Sequence, residues 1–388
     1  MVETIPPASA LTDHLVHGMG TALEAPTWPA ITAEEAEAVL ARFPEAGRMT
    51  GLRWHSPRPF SAAALVDTTH GAFVLKRHHY RVRSCEGLAE EHTFIAHLAN
   101  AGVSVPEILT TAQGAGVVAV DAWRYELHRA APGADLYRDR LSWTPFLSHD
   151  HAHAAGVALA QLHEAARSFN APARRQQPLV ASFTIVPSSD PLAAAEAFIA
   201  ARPAMAAFLA PRPWRRDLAG LFAASGEGMS GLLAYQPPLW THNDWHPSNL
   251  LWSPDGTVKT VFDFGLADRT CAVHDIATAI ERSAIRWLEL KPGVGDGIAD
   301  SGAALALLTG YATIVALSRA DLTTIRRLLP LVHVEFALSE IDYFTGVVTA
   351  PALAALAWDD YLVGHAEWFL SMPGQAFLSR IDGAGLHL

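Results

Sequence analysis

The 388-residue sequence is half hydrophobic, only 17% charged, and carries a formal net charge of -11. That composition excludes disordered and fibrous classes, and a chain of this length is expected to fold as two or more lobes. The acidic balance argues against nucleic acid as a partner.

The two cysteines, Cys85 and Cys271, lie far apart with no metal-binding spacing and read as reduced thiols. Residues Met1 to Pro7 show no basic region leading into an apolar run, so no signal peptide is expected. The longest uncharged stretch, Ser301 to Ser318, is interrupted by Gly310 and Tyr311 and reads as a core helix rather than a membrane span. A cytoplasmic protein without membrane partners is the expectation.

In chain order, residues 1 to about 31 are rich in Pro, Ala and Thr and read as a loosely ordered lead-in. Thr32-Ala33-Glu34-Glu35 has capping-box spacing, and Ala36, Val39, Leu40 and Phe43 give the following helix one apolar face. Residues 46 to 80 read as β, with a Pro-interrupted loop at Arg53 to Pro59 and a hairpin of Ser61–Asp67 and Ala72–Arg77 around Thr68-Thr69-His70-Gly71. Lys76 shares its strand face with Ala72 and Val74. It is either an edge residue snorkelling to solvent or a pinned cation, and the strand pattern by itself favours the edge.

A helix over about Gly87 to Asn100 carries Glu86, Glu90 and Glu91 on a frame of Leu88, Phe94, Ile95 and Leu98. A charged helix face is usually solvated, but a lysine strand followed by a glutamate helix is the order an ion pair aimed at phosphates requires, and Glu91 suits that pair best, then Glu90. Strands near Val117–Val120 and Trp123–His128 lead to Pro132-Gly133, where the composition turns from β-rich to Ala/Leu-rich helix. The expected organisation is an extension and helix over 1–44, a smaller β-rich lobe over 45–130, and a larger helical lobe over 131–388.

The richest stretch is Thr241-His242-Asn243-Asp244-Trp245-His246-Pro247-Ser248-Asn249, followed by Leu250-Leu251-Trp252 and by Val261-Phe262-Asp263-Phe264-Gly265. The apolar flanks read as short buried strands, and a hairpin of them would aim Asp244, Asn249 and Asp263 at one space. Two carboxylates and an amide make an oxygen-rich set suited to a hard cation such as magnesium and to a general base. The rival is a zinc run of His242, Asp244 and His246, which leaves Asn249, Asp263 and Lys76 unexplained. His149, Asp150, His151 and His153 also look metal-like, but read better as a helix start capped by Ser148 or Asp150.

Taken together, Lys76, Glu91, Leu162-His163, His242-x-Asp244-x4-Asn249, Asp263-Phe264-Gly265 and Asp275-Ile276-Ala277 resemble the aminoglycoside phosphotransferase and choline kinase superfamily, from about residue 45 to 345. The resemblance implies an α+β, protein-kinase-like fold of two lobes and an ATP- and Mg2+-dependent transfer of phosphate to a hydroxyl. It implies that Lys76 contacts the ATP phosphates under orientation by Glu91, and that the chain from Leu127 and His128 to Ala131 offers backbone groups to adenine. Asp244 would accept or align the acceptor's proton, His242 would support the loop, Asn249 and Asp263 would bind magnesium, and Asp275 would hold the loop backbone.

Two departures stand out. Asn243 occupies a position usually Gly in this superfamily, and no Gly-rich phosphate loop lies between the first two strands. Gly265 to Asp275 is a step of only ten residues, too short for a long activation segment. That favours a small-molecule acceptor (amino alcohol, sugar, homoserine-like metabolite or aminoglycoside). A bacterial serine/threonine protein kinase of the same superfamily and a nucleotide-binding regulator without turnover remain open. Glu335, Ser339 and Asp342 share a face of a late helix, where Glu335 and Asp342 could bind a hydroxyl-rich or cationic acceptor, or simply face solvent.

Overall fold

The computed structural model describes residues 15–17, 22–180, 182–290 and 297–382. The segment read for a signal peptide, residues 1–7, lies outside the described residues. The chain divides into two compact units, residues 1–92 with 106–131, and residues 93–105 with 132–388.

The first unit is built on a five-stranded antiparallel sheet. Its strands are β1 (Met49–His55), β2 (Ala62–Thr68), β3 (Gly71–His79), β4 (Val118–Val120) and β5 (Trp123–Arg129), in the order β1-β2-β3-β5-β4. Helix α1 (Ala33–Leu40) starts where the capping box places it. Thr32 accepts the Glu35 N–H at 3.1 Å, and Glu35 accepts the Thr32 N–H at 3.3 Å. Its stripe of Ala36, Val39 and Leu40 joins Phe73, Leu75, Val66 and Leu127 in one core. Glu35 also pairs with the buried Arg77 at 2.7 Å and accepts the Tyr125 hydroxyl at 2.7 Å, so the cap residue ties the helix to the sheet.

Three expectations change in this unit. The lead-in is not wholly loose: Ile31 and Trp28 are buried, and Trp28 stacks on His79 with ring centroids 5.1 Å apart. The stretch at Arg53–Pro59 is strand as far as His55, because Trp54 and His55 still pair with Leu65 and Ala64. The ladder stops where Pro57 and Pro59 have no N–H to give. Finally, Lys76 is no edge residue. Strand β3 is the middle strand, and Lys76 sits opposite Ala63 on one side and Glu126 on the other.

Helix α2 (Cys85–Asn100) contributes residues to both units. In the second unit, α3 (His149–Ala166) is capped by Ser148, which accepts the His151 N–H. It crosses α5 (Ser301–Ala312) at very short range. A Cβ on Gly156 would lie 2.0 Å from the Leu307 carbonyl oxygen, and one on Gly310 would lie 2.0 Å from that of His153. Between them in sequence lies α4 (Ala272–Ser283). Two short antiparallel ladders complete the core of this unit: β6 (Pro238–Thr241) with β9 (Asp268–Cys271), and β7 (Leu250–Trp252) with β8 (Val258–Val261). Among the described residues no single helix is long and apolar enough to cross a membrane.

Candidate active site

The loop from His242 to Asn249 is slung between β6 and β7, and its backbone is held from one point. Asp275, fully buried on α4, accepts the His242 N–H at 2.9 Å with Oδ2 and the Asn243 N–H at 2.8 Å with Oδ1. Burial pushes the Asp275 carboxyl up, but the His163 imidazole, bonded at 3.0 Å, together with His242, holds it below the usual range. His163 in turn meets the Tyr311 hydroxyl at 2.9 Å through its other nitrogen. The tight α3–α5 crossing therefore sets a relay, Tyr311–His163–Asp275, that ends on the loop backbone.

His242 is committed at both nitrogens. Nε2 donates to the Phe262 carbonyl at 3.0 Å, which leaves Nδ1 to accept the Asp244 N–H at 3.2 Å. Burial lowers its pKa, in keeping with a neutral ring. A zinc run through His242, Asp244 and His246 is therefore not formed, since no lone pair of His242 is left to offer. Asn243 adopts a left-handed conformation, φ 58°, and its carbonyl accepts from the hydroxyls of Thr241 at 3.0 Å and Thr270 at 3.3 Å. Asparagine reaches these angles at modest cost, and the hydroxyls answer its side chain.

At the loop's end, the Asn249 amide donates at 2.9 Å to both the backbone carbonyl and Oδ2 of Asp244. Asp244 and Asn249 are thus one locked pair. With both amide hydrogens on Asp244, the Asn249 side-chain carbonyl is the atom that can be offered to a cation. Asp244 Oδ1 meets His246 Nε2 at 3.5 Å and is in contact with the guanidinium of Arg282. Arg282 is fully buried, lies over the rings of Trp143 (5.0 Å) and Phe336 (4.8 Å), and was missed by the sequence reading. A signal existed: Arg282 lies seven residues after Asp275, two helical turns along one face of α4.

The β7–β8 register pairs Leu250 with Val261, and Phe262 donates its N–H to the Asn249 carbonyl at 3.1 Å. Asp263 follows at once, with φ 62°, and lies close enough to His242 for its charge to act on that ring. Hairpin geometry thus brings Asp244, Asn249 and Asp263 to one end of the unit. Arg174 holds the segment beyond. Its guanidinium donates to the carbonyls of Gly265 and Ala267 at 3.1 Å, and its own N–H goes to Asp268 at 2.7 Å. Nothing in the sequence of that linker had marked it.

In the first unit, the Lys76 ammonium lies 4.0 Å from Glu126 Oε1, a carboxylate not singled out from sequence. Glu91 is buried, and both it and Lys76 act electrostatically on His92. Leu127 is buried with its carbonyl accepting the Leu109 N–H at 2.8 Å, and His128 is buried beside Glu126 at 3.0 Å.

The two late-helix acids are occupied internally. Helix α6 (Val334–Asp342) buries Glu335, whose carboxylate accepts from Ser182 and from the backbone and hydroxyl of Thr184 at 2.7–3.0 Å. Asp342 lies 3.3 Å from Arg202. At the start of α3, His149 meets Asp300 at 3.0 Å and His151 the Tyr137 hydroxyl at 2.8 Å.

This fold, a small antiparallel sheet unit and a larger helical unit bearing an Asp–Asn loop clamped by a buried aspartate, is that of the kinase-like phosphotransferases. The chain belongs to the phosphotransferase enzyme family, whose sequence model matches residues 60–311. It is 27% identical over 252 residues to a homoserine kinase of Caulobacter sp. (strain K31), covering 64% of this chain and 67% of that protein. The structure of a microcompartment-associated aminopropanol kinase superposes with a TM-score of 0.56 at 19% identity, over 88% of this chain and 99% of that one. An amicoumacin kinase in complex with AMP-PNP, Ca2+ and Ami superposes with a TM-score of 0.53 at 16% identity, over 91% of this chain and 94% of that one.

Proposed function

We propose that the protein is an ATP- and magnesium-dependent kinase that phosphorylates a hydroxyl of a small molecule. The observation that carries this reading is the Asp275 carboxylate accepting two successive N–H groups, which fixes the loop presenting the bonded pair Asp244–Asn249. Phosphoryl transfer asks a protein mainly for positioning and charge neutralisation.

In the second unit, Asp244 would align the acceptor hydroxyl and take its proton as the oxygen bonds to the γ-phosphorus and the bond to ADP breaks. The Asn249 carbonyl and the Asp263 carboxylate would hold magnesium, and an all-oxygen donor set fits that cation. Magnesium, when bound, would neutralise phosphate charge. Arg282 would keep the Asp244 carboxylate in place. In the first unit, Lys76 would contact the phosphates, Glu91 would orient it, and the chain from Leu127 to Ala131 would serve adenine with the backbone groups that the ladder to β3 and the Leu109 N–H leave over. Two similar proteins are named for homoserine and for aminopropanol, both of which join an amine to a hydroxyl, so the acceptor panel begins there.

The test is ATP turnover across amino alcohols, sugars and aminoglycosides, in the wild type and in Asp244→Asn. We expect turnover with at least one acceptor and a loss of roughly 10²–10⁴-fold in the variant with ATP binding kept. Equal turnover in the variant would remove Asp244 from the chemistry.

A further inference from the structure

Apart from the loop at Asp244 and Asn249, the first unit holds a second cluster of chemically active side chains, His92, Glu126 and His128, whose side-chain groups the phosphotransfer reading leaves unassigned. Glu126 on β5 is buried, with three imidazoles about its carboxylate. His92 Nε2 lies 2.6 Å and His128 Nε2 3.0 Å from Oε2, while His78 Nε2 lies 3.1 Å from Oε1. The donor atoms of His92, Glu126 and His128 all fall within 4.8 Å of one another. We propose that these three residues form a binding site for one divalent transition-metal ion of the zinc class.

Four observations point there. The donor set is two imidazole nitrogens and one carboxylate oxygen, which suits zinc and its neighbours and not a hard cation such as magnesium. It is therefore chemically distinct from the all-oxygen set of Asn249 and Asp263.

The second observation is a crowded oxygen. Oε2 of the buried Glu126 faces two ring nitrogens at once, His92 Nε2 at 2.6 Å and His128 Nε2, on a side chain only 5% exposed, at 3.0 Å. Two imidazoles converging on one carboxylate oxygen is an arrangement that a shared cation would hold together.

Thirdly, the support that metal-bound carboxylates usually have is already built. His78 bonds Oε1 and leaves Oε2 as the ligating oxygen. Finally, space for the ring is reserved: a Cβ on Gly116 would lie 2.6 Å from His92 Nδ1, so only glycine leaves His92 where it is.

Metal–ligand bonds of about 2.0–2.2 Å place tetrahedral ligands roughly 3.3–3.5 Å apart, so the contacts to Oε2 must open by less than about 1 Å.

The experiment uses the full chain, stripped with a chelator and titrated with zinc chloride by calorimetry, then with cobalt(II) by visible absorption. One equivalent of zinc per chain and the strong visible bands of four-coordinate cobalt are expected. His92→Ala and His128→Ala should both lose that equivalent while remaining folded by circular dichroism. His78→Ala should weaken it about 10-fold as an outer partner. Undiminished binding in the His92 and His128 variants would overturn the proposal, since other histidines would then be the ligands. If either variant fails to fold, the wild-type cobalt spectrum decides: weak six-coordinate bands, or no stoichiometric zinc binding, overturn it equally. None of these readings depends on catalysis, so failure here leaves the kinase assignment untouched and the reverse holds.

Discussion

At the scale of single residues, the candidate site turns on side chains that answer one another over long stretches of sequence. Arg282 is the plainest case. It is buried under two aromatic rings and in contact with Asp244, so removing it leaves a half-buried carboxylate with less to hold it. Arg282→Met should lower kcat by roughly 10²-fold with a much smaller change in KM, and Arg282→Lys should restore part of it. A purely structural arginine would instead change stability and leave kcat per folded molecule as it was. Asn243 poses the complementary question. Asn243→Ala meets the left-handed angle badly and abandons the hydroxyls of Thr241 and Thr270, and should cost about 1–3 kcal/mol in urea unfolding. Asn243→Gly recovers the angle but not the hydroxyl contacts, and should fall between alanine and wild type. An alanine variant as stable as the glycine one would show that the angle is not what asparagine supplies.

At the scale of elements, the crossing of α3 and α5 ties stability to the loop. Alanine normally stabilises a helix over glycine by about 1 kcal/mol. Here the added methyl would sit 2.0 Å from a carbonyl of the facing helix, and overpacking of that kind costs about 1–3 kcal/mol. The clash wins, so Gly156→Ala and Gly310→Ala should both lower the melting temperature. Because His163 and Tyr311 ride on these helices, both variants should also lose turnover; a stabilised, fully active Gly310→Ala protein would contradict the relay.

The same scale explains what could be read from the sequence and what could not. The cap at Thr32, the hairpin at Thr68–Gly71 and the loop with Asp244 and Asn249 depend on neighbours a few residues away, and local spacing carries them. Lys76 was misplaced toward an edge because strand order is a property of the whole sheet: nothing near residue 76 says that Trp123–Arg129 will close over it. Arg174, Glu126 with its partners Lys76, His78 and His92, and the Arg77–Glu35 pair are hidden for the same reason, since these partners lie tens of residues distant. The late-helix acids show the converse. Their spacing was visible, but spacing is silent about whether Ser182 and Thr184 or solvent will receive Glu335.

At the scale of the whole molecule, stability as a function of pH is set by ionisable groups that folding buries in opposite senses. His274 and His333 are desolvated, and burial pushes both down to about 4. Their contribution is present above the ordinary histidine value and is lost as pH falls through the folded value. Glu340 runs the other way. It is fully buried, neither carboxylate oxygen has a hydrogen-bond partner among the described residues, and burial raises its pKa to about 8 against the opposing charge of Arg282. A raised carboxyl contributes stability below the unfolded value of 4.5, loses it progressively as pH climbs toward 8, and contributes nothing further above that. Glu340→Gln removes this titration while keeping the shape. The difference in unfolding free energy between variant and wild type should therefore grow in the variant's favour from pH 4.5 to 8, by on the order of a few kcal/mol, and level off beyond. Urea melts at pH 5, 6.5, 8 and 9 measure it. A difference that stays constant across that range would mean that Glu340 is already ionised and paired at pH 5, and that the buried cluster around Arg282 carries a different charge from the one argued.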